Sequence, residues 1–303
     1  MKDEYLKKSL GYRLKKSIPA YLFIAPLIIL ISVFSYYPAV SGIFHSFFDW
    51  RQAGEAKFIG LQNYKAMFQD PIFLNSIPVM AKLMLPRLLI SIICPLIMAE
   101  MLFHIRSKRL QSAYRMWCLL PMVAPSIVGI LVWRYIYDPS GGLAVSLLRA
   151  FGIIGANQNV DWLGDPNLVI GSLIFMGFPW IGGTSVMIYL SGLLGISNEI
   201  IEASMLDGAS TMRCIFSIHL PLITGQIRYF LIFGVINALQ DYSFQIVLTN
   251  GGPGYSTYVP GFYMYKQAFT YGNMGYASAI GTILFLVIFG FTVLTMKLKK
   301  SQD

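Results

Sequence analysis

Six stretches of this chain are apolar over roughly the 20 residues that an α-helix needs to cross the hydrocarbon core of a bilayer. They cover residues 20–40, 83–103, 117–137, 168–190, 229–248 and 277–296. Hydrophobic residues make up 56% of the chain and charged residues only 12%, against about 25% charged residues in soluble domains. The pattern predicts an all-α integral membrane protein with six transmembrane helices. The first stretch is not followed by a small-residue cleavage site, so we expect a span rather than a signal peptide.

The distribution of lysine and arginine predicts the orientation of these spans. Basic residues concentrate in the N-terminal tail, in the segments that follow the second and fourth spans, and at the C-terminus. The positive-inside rule therefore places both termini and the loop 192–228 in the cytoplasm. We predict a basic cytoplasmic tail over residues 1–17 and one six-span domain over residues 18–303. The chain has a net charge of +9, and the basic residues that give this charge flank the apolar spans. This distribution does not favour a nucleic-acid partner.

No catalytic or metal-binding arrangement is evident in the sequence. The cysteines and histidines are Cys94, Cys118, Cys214, His45, His104 and His219. None of them has metal-ligand spacing, and no serine–histidine or acidic cluster stands out. The chain has no Gly-Lys pair and therefore no nucleotide-binding P-loop. We expect no enzyme activity, metal or cofactor in this chain. If ATP drives the protein, its hydrolysis belongs to another polypeptide.

The loop between the fourth and fifth spans carries the most specific motif. It reads EASMLDG over residues 202–208, then nine residues, then IHLP over residues 218–221. Small Ala203 and Ser204 permit close approach of a partner, and Gly208 can adopt the positive φ of a tight turn. Pro221 is predicted to end the element. The spacing predicts a short helix, a turn and a second short helix that docks on a partner; the alternative is a solvated loop helix.

This motif resembles the EAA loop of permease subunits from binding-protein-dependent ABC importers. Ser204 stands where that family usually has its second alanine. Further segments resemble the carbohydrate-importing, maltose-transporter-like branch: residues 21–26, 58–64, 133–139, 249–253 and 265–269. The resemblance spans essentially the whole chain. It implies a type I importer permease fold with a cytoplasmic coupling helix.

The resemblance also implies partners and a location. A second, non-identical permease subunit, two ATPase subunits that use ATP and Mg, and an extracytoplasmic solute-binding protein would assemble with this chain in the bacterial cytoplasmic membrane. In the family the loop glutamate, here Glu202, faces the ATPase subunit. The residues expected to dock on the ATPase subunit are Glu202, Ala203, Ser204, Asp207, Gly208, Ile218, Leu220 and Pro221.

The fifth span carries polar side chains where lipid contact would be costly. They are Asn237, Gln240, Asp241, Tyr242 and Gln245. In a helix, residues 237, 241 and 245 share one face, with residue 240 at its border. Amides, a carboxylate and a phenol suit a sugar path. The alternatives are a polar seam between permease subunits and contact with the outer membrane interface.

Glycines and prolines interrupt the third and fourth spans. They are Pro121, Pro125, Gly129, Gly171, Gly177, Pro179, Gly182 and Gly183. Transmembrane helices tolerate such residues, but the residues are equally consistent with kinked helices beside a path, and the Gly182–Gly183 pair favours a packing or path role. Lys82, Arg87 and Arg134 are expected to extend toward the outer membrane surface.

The function predicted from these features is the permease subunit of an ATP-driven importer, forming with a second permease the path for a sugar, in particular an oligosaccharide. A non-sugar solute such as glycerol phosphate is the alternative. A secondary transporter is less favoured because the sequence shows neither an inverted repeat nor a buried charge pair.

Overall fold

The computed structural model describes residues 10–51 and 54–300, with side chains over residues 17–51 and 54–295. Within these residues it confirms the all-α membrane fold. Four helices are long and apolar enough to cross a membrane: Ser17–His45, Pro71–Phe103, Thr224–Thr249 and Met274–Thr295. Two bent pairs bring the number to six if each pair is one span: Lys108–Val123 with Ser126–Ile136, and Gly183–Leu194 with Asn198–Leu206. Most of the predicted basic tail and the side chains of the C-terminal lysines lie outside the described residues.

The first span is a helix with one widened turn. Its parts are the α-helix Leu10–Ile31, the π-helical turn Ser32–Tyr36 and the α-helix Tyr37–His45. A two-stranded antiparallel hairpin follows, in which Phe48–Asp49 pairs with Lys57–Phe58. A short helix, Gln62–Met67, leads to the second span.

The second span is longer than the sequence predicted. Its helix runs over Pro71–Phe103, so it begins twelve residues before Leu83, the first residue of the predicted span. Asp70 caps its first turn, and the Asp70 carboxylate accepts a hydrogen bond from the backbone nitrogen of Ile72 at 2.9 Å. Two distant hydroxyls, those of Tyr263 and Tyr276, donate to the same carboxylate at 2.5 and 2.7 Å. Burial raises the pKa of Asp70, but these hydrogen bonds outweigh it and hold the pKa below its usual value.

The third span is broken near its middle. The helix Lys108–Leu119 and the 3₁₀ turn Leu120–Val123 meet the helix Ser126–Ile136 at an angle of 87°. Ala124 and Pro125 are extended at the break. Proline lacks a backbone N–H and disfavours the helical conformation of the residue before it, so the break falls at Pro125.

The predicted fourth span, 168–190, is two helices rather than one. Val169–Phe175 and Gly183–Leu194 are separated by an irregular segment over residues 176–182. In that segment Gly177 and Trp180 have positive φ angles of 88° and 58°. Gly183 packs so tightly that an added Cβ would collide with the carbonyl oxygen of Cys118. The glycines and the proline of this stretch therefore allow the helix to break, and Gly183 allows close contact with the third span.

The remaining elements complete the membrane domain. The helices Leu143–Ala150, Pro260–Tyr265 and the π-helical turn Lys266–Thr270 connect spans, and the sixth span lies in the helix Met274–Lys300. The fifth span consists of the α-helix Thr224–Gln240 and the π-helical turn Gln245–Thr249, with extended backbone at Asp241.

Buried apolar side chains form two large clusters at opposite ends of the second span. The first cluster includes Phe73, Val79 and Leu83 of that span. The second cluster includes Ala99 and Leu102. The middle of the span lies between these two cores, where Leu88 packs with Val235 and Leu239 of the fifth span in a smaller cluster.

Candidate functional site

A polar cavity lies between the second and fifth spans. It has a volume of about 240 Å³. Apolar side chains, among them Met84 and Leu88, form part of its wall. Its polar lining consists of Arg87, Ser91, Asn237, Asp241 and Gln245. We call this space the central cavity.

Arg87 is the residue that sequence reasoning misplaced. The helix Pro71–Phe103 puts it halfway along the second span rather than at an outer end. Its side chain lies against the fifth span: the guanidinium carbon is 4.2 Å from the ring centroid of Phe244. The apolar residues that precede Leu83 were the signal for the longer helix. Asp241 of the fifth span lines the same cavity as Arg87.

A second cavity adjoins the first. It has a volume of about 320 Å³ and lies between the second span and the broken fourth span. Arg87 and Ser91 line both cavities. Trp180, from the irregular segment, lines this second space and presents an aromatic ring there. Trp180 is a non-glycine residue with a positive φ of 58°. Such residues are uncommon and often mark functional sites, which makes Trp180 a candidate site residue.

The structure separates the five polar residues predicted on the fifth span. Asn237, Asp241 and Gln245 line the central cavity, although extended backbone at Asp241 interrupts the helical face that the spacing predicted. Gln240 is exposed at the end of its helix. Tyr242 lines a different, largely apolar groove beside the first and sixth spans. The three residues predicted to share a face therefore do line one cavity, and the backbone nitrogen of Asp241 still donates to the carbonyl oxygen of Asn237 at 2.8 Å.

The loop between the fourth and fifth spans forms the predicted pair of short helices. The first helix, Asn198–Leu206, bends away from Gly183–Leu194 by 71°. Gly208 then turns the chain with a φ of 71°. Thr211–Cys214 begins a second helical run, which continues through the π-helical turn Ile215–His219 to Leu220–Leu222. Pro221 lies inside this run, and the break falls at Ile223 instead.

The motif residues divide into exposed and inward-facing groups. The exposed members are Glu202, Ala203, Asp207, Gly208 and Pro221. Ser204 is buried, and its hydroxyl donates to the carbonyl oxygen of Ile201 at 2.7 Å. Ile218 and Leu220 are half-buried. The helix pair also exposes large apolar side chains: Met205, Leu206, Met212 and Phe216.

A buried carboxylate connects this loop to the second span. Glu100 and His219 are 7% and 3% exposed. The Nδ1 atom of His219 lies 3.2 and 3.1 Å from the two carboxylate oxygens of Glu100. Sequence reasoning treated His219 as isolated because its partner lies 119 residues away. Across the part of the chain that the structure describes, no group of three or more histidine, cysteine or acidic side chains could hold a metal ion.

The broken spans, the polar cavities between them and the exposed helix pair define a polytopic membrane transport protein. The family model described as "binding-protein-dependent transport system inner membrane component" matches residues 91–298. The chain belongs to this family of ABC transporter permeases.

Relatives and a solved structure agree with this assignment. The probable ABC transporter permease protein YurN of Bacillus subtilis is 31% identical, over 94% of this chain and 97% of its own length. The multiple sugar-binding transport system permease protein MsmF of Streptococcus mutans is 31% identical, over 92% and 94%. A bacterial ABC transporter involved in the import of the acidic polysaccharide alginate has a chain with the same fold. It superposes with a TM-score of 0.84 at 22% identity and covers 97% of this chain and 99% of its own.

Proposed function

We propose that this permease subunit imports a sugar, in particular an oligosaccharide, through a path formed with a second permease subunit. The observation that carries the proposal is the central cavity, where hydroxyl-binding groups line a space between otherwise apolar helices. Asn237, Gln245 and Asp241 offer donors and acceptors to hydroxyl groups, and Trp180 offers a face to a sugar ring. The sugar named for the relative MsmF supports this cargo class.

The helix pair after the fourth span is proposed as the surface that couples transport to ATP hydrolysis. Glu202 and Leu206 are exposed on the first helix of the pair, and Phe216 is exposed on the second helical run. A stable interface typically has an apolar centre with charge-assisted hydrogen bonds beside it. A separate cytoplasmic ATPase subunit, which binds ATP and Mg, is the partner that this surface fits. This chain would itself bind no cofactor.

The remaining partners follow from the family. A solute-binding protein would deliver the sugar on the side opposite the helix pair, as the family description implies. The second permease subunit would cover part of the apolar surface of the first span, where no side chain of the most apolar window is buried within this chain. Both termini would lie in the cytoplasm of a bacterial cell, on the side of the helix pair.

The proposal predicts a specific loss of transport when the cavity loses its polar groups. Alanine at Asn237, Asp241 and Gln245 together is expected to depress ATP-dependent, vanadate-sensitive sugar uptake into vesicles. Subunit assembly and basal ATP hydrolysis should persist, because the coupling helices are distant from these residues. Ser243→Ala is the matched control, since Ser243 is exposed on the same segment and does not line the cavity. Uptake of wild-type rate and preference in the triple variant would show that these groups are structural.

A further inference from the structure

Two formal charges face the central cavity, and they have opposite signs. The cavity lining contains the Arg87 guanidinium and the Asp241 carboxylate and no other charged side chain. Among the described residues these two make no ion pair within 4.0 Å. Arg87 lies over the Phe244 ring, and Asp241 accepts a hydrogen bond from the backbone nitrogen of Ser243 at 3.0 Å. The charges are therefore held apart and leave the cavity without net charge.

The neutral groups of the cavity complete a set suited to hydroxyls. A guanidinium only donates hydrogen bonds, a carboxylate only accepts them, and a hydroxyl can do both. Two hydroxyls of one sugar ring can therefore accept from Arg87 and donate to Asp241. Gln245 is 3% exposed and lines the same cavity. Its amide can donate a hydrogen bond to a hydroxyl or accept one from it.

We infer that the central cavity selects neutral, polyhydroxylated sugar units against carboxylated or phosphorylated ones, with Arg87 and Asp241 as the specificity-determining pair. The inference rests on the proposed function. An anionic cargo would be attracted by Arg87 but would place its charge beside the Asp241 carboxylate, where like charges oppose binding. A volume of about 240 Å³ lies below the roughly 300–1,000 Å³ of ordinary ligand pockets, so one sugar unit would occupy it at a time. The cargo would then differ in charge from the alginate named for the structural neighbour.

The test measures the affinity of sugar probes for the assembled transporter without its solute-binding protein. Binding then reports on the membrane-embedded subunits and not on the solute-binding protein. The probes are maltotriose and cellotriose and their counterparts that carry one C6 carboxylate, and binding is followed by saturation-transfer NMR. The wild-type complex should bind a neutral probe at least about tenfold more tightly than its carboxylated counterpart. Asp241→Asn leaves Arg87 unopposed and should erase or reverse that preference. Lys82→Gln removes an exposed cation of the same helix that does not line the cavity, and should leave the preference unchanged.

Each alternative result is informative. Tighter binding of the carboxylated probes, or an unchanged preference in Asp241→Asn, would overturn the inference and leave the proposed function standing. The same holds if neither probe binds although the complete transporter takes up one of them with ATP. Failure of the complete transporter to take up any sugar would instead contradict the proposed function, and the inference would fail with it.

Discussion

The charged side chains in the middle and at the loop end of the second span each lie beside a group from another element. Arg87 faces Asp241 of the fifth span across the central cavity. Glu100 lies against His219 of the helix pair. His104, one turn beyond Glu100, is the more exposed neighbour: its Nδ1 atom lies 3.9 Å from the carboxylate and its side chain is 43% exposed. Buried polar groups are retained with partners, so the Glu100–His219 contact positions the helix pair on the second span.

We predict that Glu100→Ala destabilises the protein more than His104→Ala does. The substitution leaves the His219 imidazole buried without its partner, which typically costs about 1–3 kcal/mol. The measurement is the thermal unfolding midpoint of the purified complex. His104→Ala is the matched control and should change the midpoint little, because exposed pairs contribute little. Equal midpoints for Glu100→Ala and the wild type would show that the buried contact does not hold the loop.

At the scale of the elements, the geometry of the helix pair bears on its proposed role in coupling. The helix Asn198–Leu206 carries Glu202 on an exposed face, and Gly208 sets the direction in which the second helix leaves. An added Cβ at Gly208 would meet no atom within 4 Å. A substitution there would therefore act through backbone strain at positive φ and not through a clash.

We predict that substitutions at Glu202 and Gly208 fail in different ways. Glu202→Ala removes a charge-assisted contact of about 1.5–3 kcal/mol, which weakens ATPase binding by roughly tenfold to a hundredfold. That variant should lose ATPase subunits during purification. Gly208→Val imposes a branched side chain on a left-handed residue. It should keep the ATPase subunits but hydrolyse ATP without matching sugar uptake.

A neighbouring carboxylate provides the control for this prediction. Glu199 is exposed in the first turn of the same helix and lies outside the motif. Glu199→Ala should retain ATPase subunits and coupled uptake. If the Glu202→Ala, Gly208→Val double variant keeps both as well, the helix pair is not the coupling surface.

The sequence predicts elements of this kind well when one local signal decides them. Apolar length identified the spans, and the Gly208 spacing identified the turn between the two short helices. The start of the second span is harder to predict. Asp70 caps the helix by accepting from the backbone nitrogen of Ile72, and its carboxylate is held by tyrosine hydroxyls 193 and 206 residues away, so the predicted span begins twelve residues too late. Arg87 was misplaced as a consequence.

Some features depend on contacts that no local pattern encodes. The prolines Pro78, Pro86 and Pro95 leave the second span a single helix, whereas Pro125 breaks the third. The extended backbone at Asp241 is equally absent from any local pattern. Three of the five polar residues proposed for the path, Asn237, Asp241 and Gln245, line the central cavity.

At the scale of the whole molecule, the proposed transport function requires one orientation of the protein in the membrane. The cavity must open toward the source of the sugar, and the helix pair must face the compartment that holds ATP. The asymmetry of lysine and arginine predicts that the helix pair lies in the cytoplasm. On that prediction the loop before the fourth span, which contains exposed Ala156, lies outside.

We predict that a cysteine introduced at Ser210 is shielded from a membrane-impermeant maleimide in right-side-out vesicles, whereas one at Ala156 is labelled. Cys94, Cys118 and Cys214 would first be replaced by serine, so that each variant carries one thiol. Both introduced positions are exposed in the fold, so burial cannot account for a difference in labelling. Permeabilised vesicles supply the control, because both thiols should then react. Labelling of Ser210→Cys from outside would reverse the topology, and the helix pair could not then dock on a cytoplasmic ATPase.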